Sequence, residues 1–279
     1  MFTVKKALVL STALSAMLIA TALTARADNS AGPAVAAPNV NFSAGGGVLD
    51  HDSKFLLSGT GTMPLSNAFG FQADGFEALG EGRNRGGLSA HLFQRDPSQH
   101  LIGLTTMWGR LGTTDIFRGG AEGEAYLDDF SLRLAGGWQN QEGDSTGYGN
   151  AKLSYYMTDN LVFALNGSAY SDSRGGGLEA EWKPSNNPYP FSLFASGGDR
   201  NDTDGYALAG VRVSFGDKGV SLKDRHRKYD PSSLIETFMT QENGGGNDDE
   251  CAAPVVDGAG PFAIDGGGPV PCGGFPPPP

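Results

Sequence analysis

Between residues 40 and 215 the chain is written in short runs where apolar and polar residues alternate, separated by turn-forming clusters. Successive side chains of a β-strand point to opposite faces, so such runs predict strands with one apolar face. One face of the first run reads Val40, Phe42, Ala44, Gly46, Val48, and that of the second Phe55, Leu57, Gly59, Gly61, Met63. Later runs give Phe130, Leu132, Leu134, Gly136, Trp138 and Leu161, Phe163, Leu165, Gly167, Ala169. Twelve strands are predicted, near 40–49, 54–63, 69–78, 87–95, 101–109, 116–127, 130–139, 147–156, 161–170, 176–183, 191–198 and 206–215. Most have about ten residues, the length a tilted strand needs to cross a bilayer. No helical period occurs in this stretch.

Charge sorts with the same period. The apolar face carries no Asp, Glu, Lys or Arg, except Glu77 at a strand end. The opposite face carries Lys54, Asp74, Arg95, Arg118, Glu122, Glu124, Arg133, Lys152, Glu179, Glu181, Lys183 and Arg212. A Lys or Arg facing lipid at mid-bilayer costs about 2–4 kcal/mol, and that penalty produces this segregation. A soluble β-sandwich also segregates its faces, but its buried face favours large branched side chains packed at protein density. Here the uncharged face is rich in Gly and Ala, which suit conforming lipid better than a solid core. The expected fold is therefore all-β: a transmembrane antiparallel up-and-down β-barrel of about 12 strands. The charged face is expected to line its lumen.

The flanking segments fit export. Lys5 and Lys6 precede the run ALVLSTALSAMLIATAL, which ends at Ala25-Arg26-Ala27. This is the pattern of a secretory signal peptide over residues 1–27, cleaved after Ala27. Residues 28–39 read as an Ala/Pro-rich linker. Residues 216–279 open with a basic stretch, KGVSLKDRHRK, and continue as acidic Gly/Pro-rich sequence of the kind that stays disordered. This tail is expected in the periplasm, with the cell wall, anionic headgroups or a periplasmic protein as candidate partners. Its Cys251 and Cys272, the only cysteines, are candidates for a disulfide in an oxidising compartment. Three of the 20 basic residues and none of the 31 acidic ones fall in the leader, so the remainder carries a net charge of −14. With no large basic cluster, nucleic acid is not an expected partner.

Turn-rich connections at 65–68, 96–99, 127–129, 157–160 and 184–190 alternate with more polar, Gly-rich ones. This predicts short periplasmic turns and longer outer loops. Aromatic residues gather near the predicted strand ends: Phe69, Phe130, Tyr155, Trp182, Phe191 and Phe215 at one side, Trp108, Phe117 and Trp138 at the other. Two such belts are interface anchors. The closing run GYALAGVRVSF (205–215), with Gly210, Val213 and Phe215, resembles the terminal-strand signal of small porin-like outer-membrane barrels of Gram-negative bacteria. The turn YYMTDNLVFAL (155–165) is similar to theirs. The resemblance implies insertion into outer-membrane lipid by the barrel assembly machinery. It names no solute, and in such barrels the chain usually ends at the terminal aromatic residue.

Two functions stand open. Small residues on the polar face, among them Ser43, Ser58, Thr60, Ser168, Ser192 and Ser196, leave room for a narrow channel passing small polar solutes by diffusion. The charges at Arg118, Glu122, Glu124, Arg133 and Lys152 instead suit pairing across the lumen, which would make a closed structural barrel. An enzyme is less expected: Ser89 and His91 share a face, but no third orienting group is evident. No cofactor is implied, and DRNDTDG (199–205) lacks the spacing of a calcium loop.

Overall fold

The computed structural model describes residues 32–170, 173–184, 190–200, 203–216 and 219–232. The leader with its cleavage site, the first residues of the linker, and the tail from 233 onward, with Cys251 and Cys272, lie outside the described residues. Twelve strands form one closed antiparallel barrel. They are β1 (Asn39–Leu49), β2 (Asp52–Pro64), β3 (Phe69–Gly80), β4 (Arg85–Asp96), β5 (His100–Leu111) and β6 (Thr114–Leu127), then β7 (Phe130–Gln141), β8 (Asp144–Thr158), β9 (Leu161–Tyr170), β10 (Ser173–Trp182), β11 (Phe191–Arg200) and β12 (Thr203–Phe215). Each strand pairs with its neighbours in sequence. β1 closes on β12 in a register running from Val40↔Phe215 to Leu49↔Tyr206. Closure leaves no sheet edge, which is what hydrocarbon demands of a β structure.

The sheet is a single layer, so each strand residue faces either outward or into the lumen. Leu57, Leu88, Leu104, Leu153, Leu165, Leu178 and Val211 are exposed on the outside, with Leu104 and Leu178 both at 63%. In water such a surface would be a large aggregation liability; in a bilayer it faces lipid. Exposed aromatic side chains flank this band. Phe130 stacks on Tyr155 at a ring separation of 4.8 Å near one rim, and Phe117 meets Trp138 at 5.4 Å near the other. Inside, some strands approach very closely. A Cβ on Gly137 would lie 2.1 Å from the Gly119 carbonyl oxygen, so glycine is required there.

The strands run further than the sequence pattern predicts. At the end away from the chain termini the described connections are only 50–51, 81–84, 112–113 and 142–143. Asp50 and His51, and likewise Glu142 and Gly143, have positive φ, the backbone of tight hairpin turns. The residues assigned to a loop around 140–146 pair instead across β7 and β8, as in Gln139↔Thr146 and Gln141↔Asp144. Polar composition there marks where the sheet leaves hydrocarbon, not where the ladder ends. The expected contrast of short turns and long outer loops is therefore absent among the described connections.

A second departure follows the barrel. Within 216–279, expected to be largely disordered, residues Leu222–Lys228 form a helix, α1. Ser221 caps it by accepting a hydrogen bond from the Asp224 N–H at 3.1 Å. Replacing Leu104 or Leu165 with Arg tests which solvent the outer face meets. Each substitution should lower the unfolding free energy in lipid vesicles by about 2–4 kcal/mol, read by urea titration of heat-modifiable gel migration.

Candidate functional site: the barrel lumen

The alternation that turns leucines outward turns the charged residues inward. Lys54, Asp74, Arg95, Arg118, Glu122, Glu124, Arg133 and Glu181 are all at most 9% exposed, and Lys152, Glu179 and Arg212 are half-buried. An ion in so confined a space needs a partner, and the structure supplies them in two groups.

The first group fills the lumen along β3–β8. The Asp74 carboxylate accepts from Thr60 (2.8 Å), Ser89 (2.7 Å) and Gln72 (3.0 Å). Glu122 accepts from Arg133 at 2.7 Å and meets Nδ1 of His91 at 2.9 Å. Glu124 sits directly across from Arg133 on the neighbouring strand. Arg118 donates twice to the Gln139 side-chain oxygen, at 2.8 and 2.7 Å. Its guanidinium lies 5.0 Å from the Tyr148 ring and 5.5 Å from that of Tyr170. Arg95 reaches past the strand ends to the Ala34 and Tyr229 carbonyls. Lys54, nearer the opposite rim, donates to the carbonyls of Glu81 and Arg83.

His91 gains here the third group that was not evident in the sequence. Ser89 Oγ lies 3.3 Å from His91 Nε2, and Glu122 holds Nδ1. The order Ser–His–Glu is that of a hydrolytic triad, but the geometry does not serve one. Nε2 also lies 3.1 Å from Asp74 Oδ2, and Ser89 donates to that same carboxylate. Both ring nitrogens are thus committed to carboxylates, and His91 is fully buried. The cluster ties β3, β4, β6 and β7 together.

The lumen also holds apolar residues that the period-two reading missed. Leu49, Leu56, Phe76, Ala78, Met107, Leu111, Ile116, Tyr206 and Leu208 form a buried cluster. Single large residues between polar ones on the inward face, such as Phe76 and Met107, were the only signal.

The second group surrounds a cavity of about 130 Å³ bounded mainly by β1, β2 and β8–β12. Small residues line it, including Ser43, Ser58, Ser154, Ala164 and Ser196. Two opposed pairs face it, Lys152 with Glu179 at 2.5 Å and Arg212 with Glu181 at 2.8 Å, and Asp74 lines it too. Arg212 also donates to Ser43.

The floor of this cavity is not strand. His226, Asp230, Pro231 and Ser232 form it, carried by α1 and the residues after it. Of the basic stretch that opens the tail, Arg225 is 1% exposed and donates to Glu181 at 2.5 Å and Ser214 at 2.8 Å. Arg227 donates to Ser131 and to the Phe130 carbonyl. Lys223 pairs with Asp129 at 2.8 Å and holds that carboxyl below its usual range. Burial pushes the Asp230 carboxyl up, while Asn41 donates to it at 2.6 Å. Lys183, expected to line the lumen, donates to the Val220 carbonyl beside the helix.

A solved structure of a KdgM porin in complex with disordered oligogalacturonate aligns over 63% of this chain and 99% of its own, with a TM-score of 0.50 and 12% identity. The chain has the fold of a porin-like outer-membrane β-barrel. A NanC porin aligns over 63% of this chain and 98% of its own, with a TM-score of 0.48 and 9% identity. Outer membrane phospholipase A from Escherichia coli aligns over 70% and 96%, with a TM-score of 0.45 and 11% identity. At these identities the likeness is one of fold. No family model matches the sequence, and no curated protein matches it.

Removing a partner from the packed cluster should be costly. Glu122→Gln strips the charge facing Arg133 and His91 and should destabilise the barrel by about 3–5 kcal/mol. Ser89→Ala should cost about 1 kcal/mol. Urea unfolding of the purified variants in lipid vesicles measures both.

Proposed function

We propose that the protein is a narrow outer-membrane channel through which small polar solutes diffuse. The observation that carries this reading is the cavity along β1, β2 and β8–β12. Its walls are hydroxyl-bearing and small side chains, with ion pairs Lys152–Glu179 and Arg212–Glu181 exposed to it. A barrel needing only structural closure would gain by filling that volume with apolar side chains, as it does around Met107 and Ile116. Wall charges that are already paired or hydrogen-bonded favour polar or zwitterionic solutes of modest size. In this reading the end where the chain enters and leaves the barrel faces the periplasm, because the leader directs export and an even number of strands returns both ends to one side.

A closed structural barrel is the second reading, and the hydrogen-bonded cluster of Asp74, Ser89, His91, Glu122 and Arg133 favours it. The two differ in conductance. Purified, heat-modifiable protein in planar bilayers should show discrete current steps. Ser196→Trp, which puts an indole into the cavity, should reduce their size without altering heat-modifiable migration. Absence of any steps from correctly folded protein would leave the structural barrel standing.

A further inference from the structure

If the lumen conducts, something must open the end of the barrel at which the chain emerges, because the chain's own continuation fills it. We propose that residues 219–232 are a displaceable stopper whose docking on Glu181 sets whether the channel is open; this rests on the channel reading above.

The segment spans the mouth. Leu222 is fully buried against Tyr156 and Val162, and its N–H reaches the Asn160 side chain. Arg225 crosses to Glu181 of β10 and Ser214 of β12, and Arg227 to Ser131 of β7. Pro231 accepts from Gln72 of β3 and Asp230 from Asn41 of β1. The linker side joins in, with the Ala36 N–H donating to the Lys228 carbonyl. The lock is complementary in charge: cationic Arg225 meets the carboxylate of Glu181 at 2.5 Å, and the His226 ring lies 3.5 Å from the same carboxylate.

Three features make this a removable part and not a fixed floor. First, the segment adds no strand to the barrel, so withdrawing it breaks no ladder hydrogen bonds. Secondly, its contacts are mostly polar, and only one apolar side chain, Leu222, belongs to the buried clusters. Polar contacts exchange readily for water, whereas a large apolar interface would resist withdrawal. Thirdly, Glu181 keeps Arg212 at 2.8 Å as a partner on the barrel wall. Its charge therefore stays compensated when Arg225 leaves, and the departing guanidinium is hydrated outside. Gly216 and Gly219, both at positive φ, lie between the end of β12 and α1.

The experiment compares unit conductance in planar bilayers for the full mature chain, a variant ending at Gly216, and Arg225→Ala. The truncated variant should conduct in steps severalfold larger or more frequent than those of the full chain, and Arg225→Ala should open more often. A third protein carries Ser131→Cys and Arg227→Cys with Cys251→Ser and Cys272→Ser. Bridging its two thiols with a bismaleimide should abolish the openings that its unbridged form shows. If the full chain and both opening variants conduct alike, the stopper is overturned and the channel stands. If none conducts although all show heat-modifiable migration, the channel reading fails and takes the stopper with it. If truncation prevents folding, Arg225→Ala and the bridged protein decide alone, and unchanged gating in both overturns the proposal.

Discussion

A closed sheet one residue thick has no interior of its own. Every side chain on it must meet either what surrounds the barrel or what fills it, and every backbone amide must find its partner within the ladder. For a barrel in hydrocarbon both demands are severe, because lipid offers no hydrogen bonds and penalises charge. The rest of the structure follows from meeting them. Leu88, Leu104, Leu165 and Leu178 point outward, and Arg118, Glu122, Arg133 and Glu181 point inward. The twelve-strand circuit closes through the pairing of β1 with β12.

Turning a dozen ionisable side chains inward transfers the problem to the lumen. A narrow, poorly hydrated interior tolerates charges only when they are paired and hydrogen-bonded. Along β3–β8 the answer is a dense cluster in which Asp74 and Glu122 each meet several partners, with His91 held between them. Along β8–β12 the pairs are simpler and stand beside open space. The lumen is therefore uneven, one part braced and the other hollow. That unevenness puts bracing and open space in separate parts of the same barrel.

The segment after β12 belongs to the same electrostatic economy. Arg225 and His226 approach Glu181, which the strands leave facing an open mouth with Arg212 beside it. A segment outside the sheet thus completes the charge balance of the lumen without entering the ladder that holds the barrel together. Stability and closure of the mouth are in this way carried by separate sets of interactions.

The strand number, the outward and inward faces, and the aromatic rims were legible in the sequence because they are local. Lipid acts on each strand separately, so the rule it imposes is printed with period two from Val40 to Phe215. Partner choice inside the lumen is not local. His91 meets Glu122 from two strands away, and Glu181 meets Arg225 across 44 residues; only the curvature of the closed barrel brings them within reach. The same holds for Phe76, Met107 and Ile116, whose burial inside the barrel contradicts no strand pattern yet is announced by none. The basic stretch at 218–228 reads as the start of a periplasmic tail because nothing in its own residues says that a cavity floored by its side chains awaits it. Sequence alone thus determined the wall of this protein, since one solvent dictates it residue by residue. The filling of the lumen and the stopper at its mouth were decided by tertiary structure, since they depend on which distant groups the closed wall brings face to face.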